Sequence, residues 1–439
     1  GLYYYNKNNT QMSKIVNLKT CAKTLVMLSV IAAPVAQAVA QANKVPAEVI
    51  ARRLANKKAK QQTPSVAAKK AKAAGVQLYG YVLSSDERDK GLYKFSSNNA
   101  ASISLVNSNV QCYNAATYVQ GTYLSSWYEE TDTQVKFPIH FYEYDTNTWQ
   151  MKIDKPSPEL AYSAISMDLA FDPETQQVYG LFSDDDYSGQ YKTLGKLVTT
   201  YWGENDYTSN SVAIGELPES MVAITCNKSG DLYTIGRSGK LYAVNKYSGT
   251  AKVVGETGYK PFKLFQSAAC DYSTGKIYWA MLDQYDWATR IIEVDPATGK
   301  GTEVCNFIDN NAYDQITGLY IKQDLTLKAV PQTVSNLSVD LTSLTSGTVK
   351  FTMPSKDVKD AALSGSLKYT VRLNGEVAAT GTAAAGAAVN TSFNTTVSGM
   401  TNVTVTAEIA ASGNTPAAVS APVSQSVRLG YDQPKKPTG

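Results

Sequence analysis

Short runs of alternating apolar and polar residues recur along the chain with a common form. In each copy, apolar residues occupy alternate positions, and an Asp, Asn or Ser then opens a turn. The copies span residues 92–96, 141–145, 241–245 and 291–295, with a weaker copy at 194–197. Because successive side chains of a strand point to opposite faces, this period of two predicts β-strands with one buried face.

These strands belong to longer units, each of which divides into four strands. We predict strands at 168–171, 177–182, 192–198 and 212–217 in a third unit, at 221–226, 231–235, 240–244 and 251–255 in a fourth, and at 266–271, 276–281, 290–294 and 302–307 in a fifth. Asp or Asn with Gly or Thr occupies the turns between first and second strands, where these residues supply backbone hydrogen bonds and positive φ. Repeats of about 40–50 residues with several strands predict the blades of a β-propeller.

The two ends of the repeat region complement each other. The first unit, which begins at Leu78, lacks its first strand, and a single strand at 317–321 remains at the far end. Pairing both within one blade closes the ring and removes free strand edges. We therefore predict an all-β chain with a five-bladed propeller over residues 76–322, or six blades if a degenerate unit is present.

A second region of short alternating strands follows, rich in Val, Thr, Ser and Ala. Its spacing and its turn at Asn374-Gly375 predict a β-sandwich over residues 325–430. The segment 405–413 resembles the fibronectin type III domains of exported surface proteins from Bacteroides-like bacteria, although Val403 stands where that family usually has an aromatic residue. Residues 431–439 are interpreted as a linker toward further domains.

The turns at 245–249 and 295–299 resemble those of quinoprotein-like propellers, because an Asn or Asp precedes a Gly by four residues. Quinoprotein enzymes have a Trp shortly after this turn. Here Thr250 and Lys300 follow instead, and no Trp stands near them. We therefore expect neither a quinone nor another cofactor.

The N-terminal region has the pattern of an export signal. A basic segment from Met12 to Lys23 precedes an apolar stretch at 24–35, and two Ala-x-Ala sites follow. That order predicts upstream residues plus a signal peptide at 1–42, and a mature chain that is secreted or attached to the cell surface. Residues 43–75 are rich in Lys, Arg, Ala and Gln and are expected to form a solvated basic linker. Weak electrostatic contact with an anionic membrane or glycan is the alternative for this segment.

The composition limits the partners and the chemistry. The net charge is +3 and charged residues make up 18% of the chain, which gives no reason to expect nucleic-acid binding. No later segment is apolar enough to span a membrane. A monomer that binds a carbohydrate or a surface protein is expected.

Four cysteines follow the signal: Cys112, Cys226, Cys270 and Cys305. Cys226 and Cys270 occupy the repeat position that Phe171 fills in another unit, so buried thiols are favoured over a disulfide bridge. The cysteines form no cluster with His, and no metal site is expected.

Catalytic motifs are not evident in the sequence. The single histidine, His140, lies on a predicted strand, and neither a Ser nor a Cys nucleophile motif accompanies it. We therefore assign no catalytic residue.

The loops between second and third strands, and between fourth and first strands, provide the one signal for a site. They are long and place aromatic residues beside carboxylates, a composition that suits stacking on sugars and acceptance of their hydroxyls. The candidate ligand-binding residues are Trp127, Tyr128, Asp185, Tyr187, Tyr285, Trp287 and Tyr313. Solvated loops with aromatic rings packed beneath them are the alternative.

Two functions of different class remain. The first is a non-catalytic extracellular binding or adhesion module, with the propeller face recognising a glycan or protein and the sandwich as spacer. The second is a polysaccharide-acting hydrolase or lyase that uses the same face. The scarcity of identifiable acid–base residues favours the first.

Overall fold

The computed structural model describes residues 46–62, 75–112, 115–128, 139–156, 166–182, 191–199, 207–308 and 313–430. One helix, α1, spans Ala47–Gln62, and strands β1 to β28 follow in chain order. The predicted signal peptide and C-terminal linker lie outside the described residues. No helix among the described residues is long and apolar enough to cross a membrane.

The first twenty strands form five antiparallel sheets of four strands each within the described residues. The first sheet contains β20 (Gln315–Tyr320), β1 (Gln77–Ser84), β2 (Gly91–Ser96) and β3 (Asn99–Asn107). The second contains β4 (Ala116–Val119), β5 (Thr122–Tyr128), β6 (Ile139–Asp145) and β7 (Met151–Pro156). The third contains β8 (Ser166–Asp172), β9 (Gln177–Phe182), β10 (Thr193–Thr199) and β11 (Tyr207–Glu216).

The fourth sheet contains β12 (Met221–Cys226), β13 (Leu232–Gly236), β14 (Lys240–Val244) and β15 (Ala251–Glu256). The fifth contains β16 (Ser267–Cys270), β17 (Ile277–Leu282), β18 (Thr289–Val294) and β19 (Gly301–Asn306). The strands predicted at 177–182, 221–226 and 240–244 have the predicted limits. The strand predicted at 212–217 begins earlier, at Tyr207.

The first strands of the five sheets form a closed circle. Strand β20 contacts β4, β4 contacts β8, β8 contacts β12, β12 contacts β16, and β16 returns to β20. Every residue of β8, β12, β16 and β20 is buried, which is the burial expected for strands that line the axis of a propeller. The all-β propeller-type arrangement predicted from the repeats is therefore confirmed.

The closure predicted from the two ends of the repeat region is also present. Strand β20, from the end of the region, pairs antiparallel with β1, and Tyr79 lies opposite Tyr320 in their register. The two rings stack with centroids 4.8 Å apart. Hydrogen bonds between the two ends of the region thus fasten the circle.

One buried carboxylate joins three of the first strands at the axis. Asp168 of β8 is fully buried and accepts hydrogen bonds from the backbone N–H of Ile224 at 3.0 Å and of Ala268 at 3.1 Å. The Ser267 hydroxyl donates to it at 2.8 Å and accepts from the N–H of Leu319, in β20, at 2.9 Å. Burial raises the pKa of Asp168 well above its ordinary value, although the hydrogen bonds oppose this shift.

Neighbouring sheets approach each other closely at pairs of glycines. Gly249 and Gly299, which end the Asn/Asp-to-Gly turns, have φ of 74° and 76°. A Cβ on Gly249 would lie 2.5 Å from the Cα of Gly215, and one on Gly299 would lie 2.7 Å from the Cα of Gly255. The recurring Gly of the turn therefore serves both the left-handed backbone and the packing of one sheet on the next.

The thiols of Cys112, Cys226, Cys270 and Cys305 are buried and free, as predicted. Burial raises the pKa of Cys112 and of Cys270 to about 12. Thiols with so high a pKa stay protonated at neutral pH and are poor nucleophiles, so these side chains act as small apolar groups in the core.

A second unit follows the sheets and consists of two antiparallel layers. One layer contains β21 (Ser335–Leu341), β22 (Ser346–Thr352) and β25 (Ala388–Asn394). The other contains β24 (Glu376–Ala384), β23 (Ser366–Leu373), β26 (Gly399–Ile409), β27 (Ala418–Val419) and β28 (Val423–Leu429). Phe351 and Phe393 from the first layer share one apolar core with Val371 and Val405 from the second.

We expect Asp168→Ala to lower the free energy of unfolding by about 2–5 kcal/mol, because it leaves two buried backbone N–H groups without an acceptor. Asp168→Asn is the matched control, since its amide oxygen still accepts hydrogen bonds. Chemical denaturation measures both. Equal stability of the Ala and Asn variants would contradict a role for Asp168 as acceptor for the first strands.

The closing strand offers a second test. Gly318 of β20 has φ of 54°, and a Cβ there would meet the Tyr123 hydroxyl and lie 3.0 Å from Ala116, both in the neighbouring second sheet, and 3.2 Å from Cys112. Gly121 has φ of 80° but nothing within 4 Å of its Cβ position. Gly121→Ala should cost about 1–2 kcal/mol for the backbone alone.

Gly318→Ala should cost roughly 1–3 kcal/mol more than Gly121→Ala, because the added methyl group meets packed neighbours. Urea midpoints of the two variants compare the costs. If both variants lose the same stability, the closing strand is not tightly packed against the second sheet.

Candidate functional site

The structure separates the residues that the sequence nominated for ligand binding. Tyr285 and Trp287 lie between β17 and β18, and Tyr313 lies just before β20, so these three share the face of the long loops. Trp127 and Tyr128 are the last residues of β5 rather than loop residues, and His140 lies on strand β6 as predicted. Asp185 and Tyr187 lie outside the described residues.

Two of these aromatic residues are core residues. Trp287 is 7% exposed and Tyr313 is 0% exposed. The Trp287 ring packs on Phe262 with centroids 4.7 Å apart. Their predicted role as stacking surfaces for a ligand is therefore corrected: both rings fill space beneath the loops. Tyr285, at 61% exposure, is the one of the three that reaches solvent.

Helix α1 docks on this same face through a buried arginine. Arg53 is 3% exposed, and its guanidinium donates to the carbonyls of Asp286 at 2.8 Å and Trp287 at 2.9 Å. It also forms an ion pair with Asp86 at 2.9 Å and lies 4.8 Å from the centre of the Tyr313 ring. Asp86 follows β1 and Trp287 precedes β18, so Arg53 bridges the first and fifth sheets.

Two neighbours in α1 add to the docking. Val49, one helical turn before Arg53, is 4% exposed and belongs to the core. Arg52 donates to the carbonyl of Tyr285 at 2.9 Å and lies 4.4 Å from the centre of its ring. Tyr285 is thus partly covered by the chain's own helix.

The expected solvated linker over residues 43–75 is corrected for the part that forms α1. The pattern of a buried Val followed four residues later by a buried Arg was missed, because arginine counts as polar in any test of amphipathicity. An arginine side chain can be buried when fixed carbonyls and a carboxylate accept the hydrogen bonds of its planar guanidinium group.

A cleft opens on the opposite face, where the second unit meets the sheets. This face is formed by connections between first and second strands and between third and fourth strands. Asn245 donates to the carbonyl of Gly375 at 2.8 Å, and the Arg372 guanidinium lies 3.9 Å from the centre of the Tyr247 ring. The N–H of Val419 donates to the carbonyl of Glu174 at 2.9 Å. These contacts fix the second unit against the third and fourth sheets.

The cleft beside these contacts has a volume of about 730 Å³. Its walls comprise residues of the second, third and fourth sheets, the connecting segment 327–333 and loops of the second unit. A volume in this range suits a ligand of several rings. The polar side chains that line it include Gln120, Thr175, Gln176, Gln177, Tyr179, Lys196, Lys246, Tyr247, Lys328, Thr333, Lys359 and Ser420.

Lys246 belongs to a buried network at one side of this cleft. Its ammonium donates to Asp172 and to Glu174, both at 2.7 Å, and to the carbonyl of Gly230 at 3.0 Å. Burial alone would lower the pKa of Lys246, but the two carboxylates outweigh burial and raise it well above its ordinary value. The Lys246 ammonium is therefore charged and paired, and it joins the turn that contains Asp172 and Glu174 to the turn that contains Gly230.

Lys196 has a different environment. It lies on β10 directly opposite Tyr179 in the register with β9, so both side chains share one face of the third sheet. Lys196 is partly buried and forms neither a hydrogen bond nor an ion pair through its ammonium with any described residue. Burial lowers the pKa of Lys196, and no neighbouring charge opposes this shift. An unpaired ammonium in a cleft wall can bind an anion.

Other kinds of site find little support in the described part of the chain. No group of three or more His, Cys, Asp and Glu side chains there is arranged to hold a metal ion. Among the described residues lining the cleft there is also neither Asp nor Glu. The arrangement of lysine, amide, hydroxyl and tyrosine groups is suited to hydrogen bonding and charge complementarity.

No family model and no curated protein matches the chain. Similar solved structures include AztD from Citrobacter koseri, at 13% identity over 56% of this chain and 59% of that chain, with a TM-score of 0.27. TolB from Acinetobacter baumannii is 11% identical over 55% of this chain and 53% of that chain, with a TM-score of 0.34.

A quinonprotein alcohol dehydrogenase-like protein from Bacteroides thetaiotaomicron is 12% identical over 59% of this chain and 60% of that chain, with a TM-score of 0.28. The chain thus spans less than two thirds of the length of each of these three structures. Likenesses at this level transfer neither a ligand nor an activity.

We expect Arg53→Ala to release α1 from the loop face, because Asp86 and two carbonyls lose a buried charged donor, at a cost of about 2–4 kcal/mol. Arg52→Ala is the matched control and should cost at most about 1 kcal/mol, since that side chain is more exposed. Hydrogen exchange across residues 47–62 measures release. Equal protection of α1 in both variants would show that Arg53 does not hold the helix.

Proposed function

We propose that the protein is a non-catalytic extracellular binding module, a five-bladed β-propeller followed by a fibronectin type III-like β-sandwich, and that it binds a carbohydrate. The site we propose is the cleft between propeller and sandwich, and the observation on which this rests is the cleft's composition and position.

The circle of first strands supports the proposed count of five blades. Five four-stranded sheets meet one another in sequence among the described residues, and the last strand of the region completes the first sheet. The sandwich assignment is supported by two antiparallel layers in which β21, β22 and β25 oppose β24, β23, β26 and β28. That division and the resemblance of residues 405–413 favour a fibronectin type III-like domain.

The cleft is favoured over the face of the long loops. On the loop face, α1 docks where the first and fifth sheets meet, and Trp287 and Tyr313 are buried. On the opposite face, amide, hydroxyl and ammonium groups line a concave volume, and the half-buried Tyr247 ring also lines it. Sugars suit this lining, because their hydroxyls form hydrogen bonds with amide, hydroxyl and ammonium groups.

This position changes the expected role of the sandwich. Lys359 and Ser420 of the sandwich line the cleft together with propeller residues. The sandwich therefore contributes to the proposed site, in addition to any role as a spacer.

A binding function is favoured over cleavage of a polysaccharide by hydrolysis or by the elimination reaction of a lyase. Those reactions need an acid and a base beside the scissile bond. Among the described residues, Asp172 and Glu174 lie near the cleft, and both are engaged by Lys246 at 2.7 Å. Export to the cell surface or medium remains a proposal from the pattern of residues 12–42.

A screen of the full chain on a glycan array, followed by calorimetry on each ligand found, tests this function. Ala213 is exposed and lines the cleft from the outer strand of the third blade. Ala213→Trp should fill part of the cleft and weaken binding at least about tenfold, which corresponds to 1.4 kcal/mol.

Val253→Trp is the matched control. Val253 is 55% exposed on β15, the outer strand of the fourth blade, and does not line the cleft. Its replacement should leave affinity unchanged. A ligand whose affinity is insensitive to Ala213→Trp would place the site elsewhere, and a full chain that binds no glycan would refute the proposed function.

A further inference from the structure

The charges that line the cleft are all positive. Four lysines line it among the described residues: Lys196, Lys246, Lys328 and Lys359. Two of them are occupied by protein groups. Lys246 is paired with Asp172 and Glu174, and Lys328 donates to the carbonyl of Ala410 at 2.8 Å.

The other two lysines belong to the two different units that form the cleft. Lys196 belongs to the third blade and Lys359 to the loop between β22 and β23 of the sandwich. Neither ammonium forms an ion pair or hydrogen bond with a described residue. The unpaired charges are thus divided between the two units that form the cleft.

Carboxylates lie near Lys359 but are engaged by other groups. Asp357 accepts the backbone N–H of Lys359 at 2.8 Å and that of Ala361 at 3.0 Å. Asp360 accepts from the Gln332 amide at 3.1 Å and lies 3.9 Å from Lys356. The Lys359 ammonium therefore remains available to a bound group.

Partial burial makes Lys196 the stronger position. An ammonium removed from water and left unpaired loses hydration without compensation, and an anion in the cleft would restore that loss. Lys196 therefore suits a sugar ring that bears an anionic substituent.

We propose that the cleft binds an acidic saccharide, whose carboxylate or sulfate is held by Lys196 on the propeller side and by Lys359 on the sandwich side. This inference rests on the proposed glycan-binding function and specifies its ligand class. The bound anion would link the two units electrostatically. Lysine is a point charge without a fixed donor geometry, so it accepts either kind of oxyanion.

The test compares two acidic saccharides with a neutral ester. Calorimetry of the full chain would use trigalacturonate, its fully methyl-esterified neutral form, and a sulfated galactose trisaccharide. We expect an acidic trisaccharide to bind at least about tenfold more tightly than the ester, and binding to weaken between low and moderate salt. The carboxylated and sulfated arms identify which oxyanion is preferred.

Variants then test whether Lys196 and Lys359 cause the preference for acidic ligands. Lys196→Gln and Lys359→Gln should each weaken binding of the preferred acidic ligand about tenfold, and the double variant should lose the salt dependence. Lys300→Gln is the matched control, because Lys300 is exposed on a turn of the fifth blade and does not line the cleft. Melting temperatures of all variants establish that they fold.

The outcomes separate this inference from the function beneath it. If ester and acids bind equally and Ala213→Trp abolishes both, the anionic ligand class is wrong while the cleft remains a glycan site. If acidic ligands are preferred but both Gln variants bind normally, the two-lysine clamp is wrong. If no saccharide binds, the inference and the proposed function both fail.

Discussion

The propeller depends on hydrogen-bond acceptors for the buried backbone N–H groups at its axis. The first strands of the blades converge there, fully buried, and their N–H groups need acceptors that a sheet does not supply on its inner edge. Asp168 is that acceptor for Ile224 and Ala268, and Ser267 extends the same network to Leu319 of the closing strand. Because β20 comes from the end of the repeat region, this network also joins the two ends of the propeller. The Asp168 side chain of one blade, together with Ser267, thus fixes the positions of the first strands of three other blades.

The strands could be predicted from the sequence because local rules determine them. Alternation at residues 240–244 and the turn ending at Gly249 require only neighbours in the chain, and β14 spans the predicted residues. Asp168 was predicted as a strand residue, but its role as acceptor depends on three segments distant in sequence. The docking of α1 was likewise beyond reach, because the environment that accommodates Arg53 is made of carbonyls from residues 286 and 287. Every residue has a backbone carbonyl, so the residue types do not indicate which carbonyls accept hydrogen bonds from an arginine.

The same limit explains why the sequence nominated the loop face. Aromatic residues beside carboxylates indicate either a sugar site or a packed loop, and residue types alone do not distinguish them. At Trp287 the structure decides for packing, because the ring lies against Phe262 under the helix. The cleft gave no such signal, since Gln177, Lys196 and Lys359 are scattered across two units and each is an ordinary surface residue type. The docking of the second unit brings them around one volume.

The lysines of the cleft differ in what their surroundings already supply. Lys246 has two carboxylates at 2.7 Å, so its charge is neutralised inside the protein and contributes to holding the turns of the third and fourth blades. An additional anion there would meet Asp172 and Glu174 and be repelled. Lys196 has no such partner, and burial without compensation lowers its pKa. A ligand anion near Lys196 would compensate the charged ammonium for its lost hydration. The attraction between anion and ammonium would also be weakly screened in a partly closed cleft. If the cleft binds an acidic sugar as proposed, this difference would favour its anionic group near Lys196 rather than near Lys246, and so orient that group toward β10.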